Sequence, residues 1–166
     1  LLDFKSNRKI IIFIIIATIP LIFMYLFFYD FIKNILDNPD LSFSIASYCI
    51  LITSFILLMT KFINFNSNIN LTYRIVLIIG CMQCLAIFPG ISRSGITICS
   101  ALILGIASKE AAKFSFLLAI PAILGAGILE IGEIINNNNM SFPYLAFILS
   151  FIVGYISLRL LIFITY

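Results

Sequence analysis

One arginine interrupts a long apolar run in this sequence, and around it lie the residues best equipped for chemistry: Pro89-Gly90-Ile91-Ser92-Arg93-Ser94-Gly95. An arginine at the centre of an apolar helix costs about 2.5–3.5 kcal/mol on insertion scales, and it usually faces a partner or a water-filled cavity. Here it stands between two serines and close to two glycines. A guanidinium can grip two oxygens at once, and the hydroxyls of Ser92 and Ser94 can add to that grip. A helix opening near Ser94 or Gly95 would contribute unpaired N–H groups and the positive end of its dipole. Together these groups describe a receptor for phosphate. The plainer reading of the same residues is a Pro-Gly turn from which Arg93 snorkels to the headgroups. Ser-Arg-Ser-Gly is a weak motif alone, and its place in an apolar break is what makes it informative. No G-x-x-x-x-G-K occurs in the chain, so nucleotide hydrolysis is not supported.

Such a group has to be held at membrane depth. From 75 to 108 the chain runs for 34 residues with Arg93 as its only charge. As one helix it would extend about 51 Å, well beyond the ~30 Å hydrocarbon layer. It must break, and Phe88-Pro89-Gly90 through Gly95 is the place, because proline removes a donor and glycine permits helix-ending conformations. Each arm would be only about 20 Å long, which predicts a re-entrant hairpin over about 75–108. Uncharged runs predict spans at about 10–29 and 41–60, with Pro20 kinking the first. Two further spans are expected at about 114–132, which contains Pro121, and at about 142–162. The expected fold is all-α, a polytopic transmembrane helical bundle forming a single membrane domain over 1–166.

The composition points the same way: 63% hydrophobic and 10% charged residues, with a mean hydropathy of +1.20. An ordinary soluble domain carries about 25% charged residues, so that class is excluded. The basic residues are scattered between apolar runs instead of forming a patch with aromatics, which argues against nucleic acid. Cys49, Cys81, Cys84 and Cys99 all lie in apolar stretches, and the chain has no histidine. Cys81 and Cys84 therefore read as small buried packing residues, not a redox or zinc pair. Seventeen phenylalanines and no tryptophan supply lipid-facing bulk, and Tyr25, Tyr29 and Tyr166 suit interfacial anchoring. The chain opens on Leu1 and stops inside an apolar run, and it is expected to be an internal piece of a longer protein.

Loop charges orient the segments, since short cytoplasmic loops are enriched in Lys and Arg. Lys5, Arg8 and Lys9 put the first residues on the cytoplasmic side, and the acidic stretch of Asp30, Lys33, Asp37 and Asp40 lies outside. Lys61 with Arg74, and Lys109 with Lys113, mark two inside loops, so 75–108 leaves and returns on one side, which excludes a single crossing but not two tight full ones. Glu110 complements a helix start. Glu130 and Glu133 read as solvated outer helix ends, and 136–139 as a polar turn.

Thr72-Tyr73-Arg74, Gly80-Cys81-Met82-Gln83-Cys84-Leu85-Ala86, Pro89 through Thr97, and Phe114-Ser115-Phe116-Leu117-Leu118-Ala119-Ile120-Pro121 occur in one order and spacing. That pattern closely resembles the bacterial undecaprenyl pyrophosphate phosphatases, and it is most specific from 72 to 121. The resemblance implies two inverted repeats, each with a re-entrant hairpin, of which this chain holds one. It implies an inner-membrane enzyme that removes one phosphate from undecaprenyl diphosphate, recycling the lipid carrier of cell-wall synthesis and conferring bacitracin resistance. Arg93, Ser92 and Ser94 would be the catalytic group. Gly90, Gly95, Gln83 and Thr97 would line the substrate, with the site opening toward the outer side. Gln83 matches the family's polar Glu/Gln position, and a helix–helix hydrogen bond is the equal alternative for it.

The family's other repeat carries a Glu-x-x-x-Glu motif and a Ser-Ser-Thr-Gly-His segment, and neither is present here. A divalent cation, Mg or Ca, is implied with its ligands outside this chain, and a homodimer is allowed. The chain alone is therefore expected to be inactive, because phosphoryl transfer also needs an activated nucleophile. The rival expectation is a secondary transporter or flippase in which Arg93 binds an anion without hydrolysing it.

Overall fold

The computed structural model of the chain describes residues 4–60, 69–136 and 144–165, and every regular element among them is helical. Six α-helices occur: α1 Phe4–Asp37, α2 Pro39–Thr60, α3 Tyr73–Gln83, α4 Arg93–Ile103, α5 Ser108–Asn136 and α6 Tyr144–Thr165. A single 3-10 turn, Cys84–Ile87, extends α3. Segments Arg8–Asp37, Pro39–Thr60 and Ser108–Ile128 are long and apolar enough to cross a membrane. The all-α membrane bundle expected from composition is thus what the chain forms. Close approaches divide it into two units, Leu1–Leu124 and Gly125–Tyr166.

Helix α1 bends near the expected end of the first span, and Asp30, Lys33 and Asp37 lie on the helical stretch beyond the kink instead of in a loop. Its backbone leaves helical values at Phe28 (φ −114°, ψ 17°). Asn38 alone separates α1 from α2, and Pro39 opens α2 at a position where its missing N–H is harmless. Asp40 in that first turn favours the helix dipole. Tyr25 and Tyr29 stack edge to face 5.4 Å apart, with the Lys33 ammonium 5.6 Å from the Tyr29 ring. Tyr166, Lys61 and residues 137–139 lie outside the described residues, as do the side chains of Lys5, Glu130 and Glu133.

In the first unit, α3 packs on α1 and α4, and α2 packs on α1 and α4. The core is Phe13 and Ala17 of α1, Val76 and Ile79 of α3, Ala101 and Ile106 around the end of α4, and Ala111, Phe114 and Leu118 of α5. The α1–α3 crossing is backbone to backbone: a Cβ at Gly80 would come 2.5 Å from the Ala17 carbonyl oxygen. Small residues permit such an approach where lipid removes the hydrophobic drive between helices. Gly80→Ala is therefore expected to lower the melting temperature in detergent. Gly125→Ala and Gly127→Ala, which meet nothing within 4 Å, should leave it unchanged or raise it. Equal effects at 80 and 125 would refute the close crossing.

Residues 73–103 fold back as a hairpin. Its base is closed by Ile69, whose N–H donates to the Gly105 carbonyl at 3.0 Å, and its tip by contact between Gln83 and Arg93. The arms Tyr73–Ile87 and Arg93–Ile103 are each shorter than a spanning helix. In the second unit, α6 is apolar along Tyr144–Ser157.

A candidate phosphate site at a broken helix

The break is built locally. Phe88 is extended (φ −73°, ψ 135°) ahead of Pro89, as the residue before a proline prefers. Gly90 turns the chain at φ +89°, a left-handed conformation that suits glycine. Its Cα lies against α2, so that a Cβ would overlap the Ala46 carbonyl oxygen. Helix α4 then starts at Arg93, one residue earlier than expected. Ser92 is its N-cap, accepting from the Gly95 N–H at 3.2 Å while its carbonyl accepts from Ile96 at 2.9 Å. The N–H groups of Arg93 and Ser94 are left without an intrahelical partner. Ser92 and Ser94 are both exposed, so two hydroxyls and two N–H groups surround the positive end of α4.

Behind this head sits Arg93, half-buried and pointing inward. Its Nε and Nη2 donate to Gln83 Oε1 at 3.2 and 2.7 Å, Nη2 also to the Leu118 carbonyl at 2.6 Å, and Nη1 to the Ala119 carbonyl at 3.1 Å. A guanidinium has five N–H groups, so these four bonds leave one, on Nη1. All three acceptors are neutral, and no carboxylate pairs with Arg93 among the described residues. Pro121 removes the helical donor of the Leu117 carbonyl, whereas the carbonyls that accept from Arg93 are the next two, Leu118 and Ala119.

Thr97, one turn after Arg93, completes the seam. Its hydroxyl donates to the Arg93 carbonyl at 2.9 Å and lies 2.6 Å from the Ser115 hydroxyl, which must then be the donor to it. Thr97 is 2% exposed and Ser115 4%. Thr97→Val or Ser115→Ala leaves the other hydroxyl buried with a partner lost, for a destabilisation of about 1–3 kcal/mol. The double variant should lose less than the sum of the two in thermal unfolding, and strict additivity would show that the bond contributes nothing.

Of the residues singled out from the sequence, Arg93, Gln83, Thr97 and Gly95 meet in the interior, and Ser92, Ser94 and Gly90 face outward. Ser115, Leu118, Ala119 and Ala46 were missed. For Ser115 the available signal was a hydroxyl within the apolar run 114–121; the other three contribute backbone and carried none. Cys81 corrects the expectation of burial: it is exposed, because the inward face of α3 carries Val76, Ile79, Gly80 and Gln83. Cys84 is half-buried with its Sγ 3.4 Å from the Gly80 carbonyl, and all four cysteines are free thiols. No cluster of three or more His, Cys, Asp or Glu occurs among the described residues, and the charge at the centre is itself cationic. These residues do not fit a divalent cation.

The model of the family described as bacitracin resistance protein BacA matches residues 3–165. The chain belongs to that family. It is similar to the undecaprenyl-diphosphatase of Thermosipho melanesiensis, 40% identical over 158 residues, covering 95% of this chain and 60% of that protein. The undecaprenyl-diphosphatase 1 of Bacillus cereus is 38% identical, covering 95% of this chain and 58% of its own length. The undecaprenyl-diphosphatase of Buchnera aphidicola is 36% identical, over 93% and 60% respectively. The chain therefore spans about 60% of the length of the curated relatives it matches. Membership in BacA accords with its apolar helices and with the resemblance read from residues 72–121.

Proposed function

We propose that the full-length protein hydrolyses undecaprenyl diphosphate to undecaprenyl phosphate and inorganic phosphate, returning the lipid carrier to cell-wall synthesis and thereby conferring bacitracin resistance. The observation that carries this reading is the exposed head of α4, where the Ser92 and Ser94 hydroxyls and two free N–H groups stand in front of an uncompensated guanidinium. In the low dielectric of a membrane interior, a cation held only by neutral dipoles attracts an anion strongly. Relatives that carry the name undecaprenyl-diphosphatase make a diphosphate headgroup the anion of choice.

In this reading the Ser92 and Ser94 hydroxyls and the N–H groups of Arg93 and Ser94 bind phosphate oxygens. Arg93 supplies positive charge as negative charge develops on the leaving phosphate, which is where phosphoryl-transfer enzymes gain most. Gly90 and Gly95 keep the loop tight enough for backbone approach, and Thr97 with Ser115 holds α4 to α5. The lipid tail lies among the apolar helices. The nucleophile or its base, and the ligands of any divalent cation, come from residues outside this chain. The protein resides in the bacterial inner membrane with residue 1 on the cytoplasmic side and the hairpin re-entrant from the inside, its site opening outward. A second copy as partner rests on the family resemblance alone.

The test is release of inorganic phosphate from undecaprenyl diphosphate by the full-length protein in detergent micelles. One phosphate per lipid, with undecaprenyl phosphate as the other product, is the expected result. Intact diphosphate carried across a proteoliposome membrane without hydrolysis would put the transporter reading in its place.

A further inference from the structure

Gln83 is 0% exposed, and its amide is enclosed on both sides. Because a guanidinium only donates, Oε1 is the atom that faces Arg93. Nε2 is thereby turned away, buried and without a hydrogen-bond partner among the described residues. Ser92 and Ser94 at the head of α4 are exposed, whereas this amide is buried. We infer that Gln83 is a positioning residue: it clamps the Arg93 guanidinium against the Leu118 and Ala119 carbonyls, behind the serine-lined head of α4, and does not itself touch substrate. This rests on the phosphate-handling reading above.

Two physical features support the assignment. Oε1 accepts from both Nε and Nη2, so it fixes the plane of the guanidinium as well as its position. It also does so without a negative charge. A carboxylate there would hold the same two N–H groups and cancel the charge that draws the anion. The neutral amide keeps Arg93 in place and leaves its full charge for a phosphate.

The inference is tested with the full-length protein in detergent, comparing Gln83→Ala, Gln83→Glu, Arg93→Lys and both Gln83 changes combined with Arg93→Lys. Gln83→Ala should lower kcat/KM for undecaprenyl diphosphate by about 10- to 100-fold, as loss of an orienting partner does. With Lys already at 93 the same change should cost less than about threefold, since a residue that acts through Arg93 has nothing left to position. Gln83→Glu retains the acceptor, so it should melt no lower than wild type, while kcat falls about tenfold and KM changes less, as expected when a transition-state charge interaction is weakened. It carries the comparison if Gln83→Ala does not fold. Equal losses in both backgrounds, or an unchanged kcat in Gln83→Glu, would overturn the inference and make Gln83 a substrate ligand or a bystander. Wild-type protein that releases no phosphate would count against the functional reading instead. The pair is then judged from melting temperatures, where the losses of Gln83→Ala and Arg93→Lys must be less than additive, and additivity overturns it.

Discussion

Arg93→Ala lowers phosphate release from undecaprenyl diphosphate by about 100- to 1000-fold, the range seen when a preorganised charge donor is removed from a transition state. The variant loses the cation and also strands the buried Gln83 Oε1, so its melting temperature should fall as well, that acceptor costing about 1–3 kcal/mol, while the Leu118 and Ala119 carbonyls sit inside α5 with helical donors of their own. Arg93→Lys separates the two effects. An ammonium keeps the charge, but its donors radiate from one nitrogen and cannot bridge Gln83 Oε1 and two carbonyls from the same position. Its turnover should drop by about 100-fold with a smaller loss of stability. Phosphate release and thermal unfolding of the full-length protein check both statements. Unchanged turnover in the two variants would return Arg93 to a structural role and favour transport.

Gly90→Ala should be the most damaging of the glycine substitutions. At φ +89° an L side chain is strained by about 1–2 kcal/mol, and the added Cβ must also push against the Ala46 carbonyl oxygen, with overpacking adding about 1–3 kcal/mol. Because that obstacle is backbone, Ala46→Gly cannot relieve it. The loop that would move carries Ser92 and Arg93, so activity should be almost lost even where protein accumulates. Melting temperature and phosphate release of Gly90→Ala, with and without Ala46→Gly, decide the point. Wild-type values would mean that α2 and the loop are looser than they appear, and rescue by Ala46→Gly would mean that the side chain, not the carbonyl, is the obstacle.

Much of the fold is written in one-dimensional features of the chain. Membrane helices follow from runs of apolar residues because each must satisfy its own backbone hydrogen bonds in lipid. The break at residues 88–92 follows from a run too long for one crossing and from Pro89-Gly90 within it. A lone arginine beside that break was enough to single out a candidate site. Local chemistry also placed the start of α4 to within a residue or two, since Ser92 caps the helix with its own side chain. By contrast, hydropathy did not show that Asp30, Lys33 and Asp37 lie on helix beyond the kink at Phe28, because it senses where apolar residues end and not where a hydrogen-bond ladder resumes.

What surrounds Arg93 belongs to tertiary structure. The sequence by itself determined that the chain is a membrane bundle with a broken apolar run and a single arginine beside the break. It did not determine that the guanidinium turns inward onto Gln83 and the carbonyls of Leu118 and Ala119, or that Thr97 finds Ser115. Backbone carbonyls have no residue-type signature, and partners 10 and 25 positions distant in the chain meet only when α3, α4 and α5 pack. The close approaches of Gly80 to Ala17 and Gly90 to Ala46 were equally invisible, because a glycine's lack of a side chain matters only where another backbone arrives.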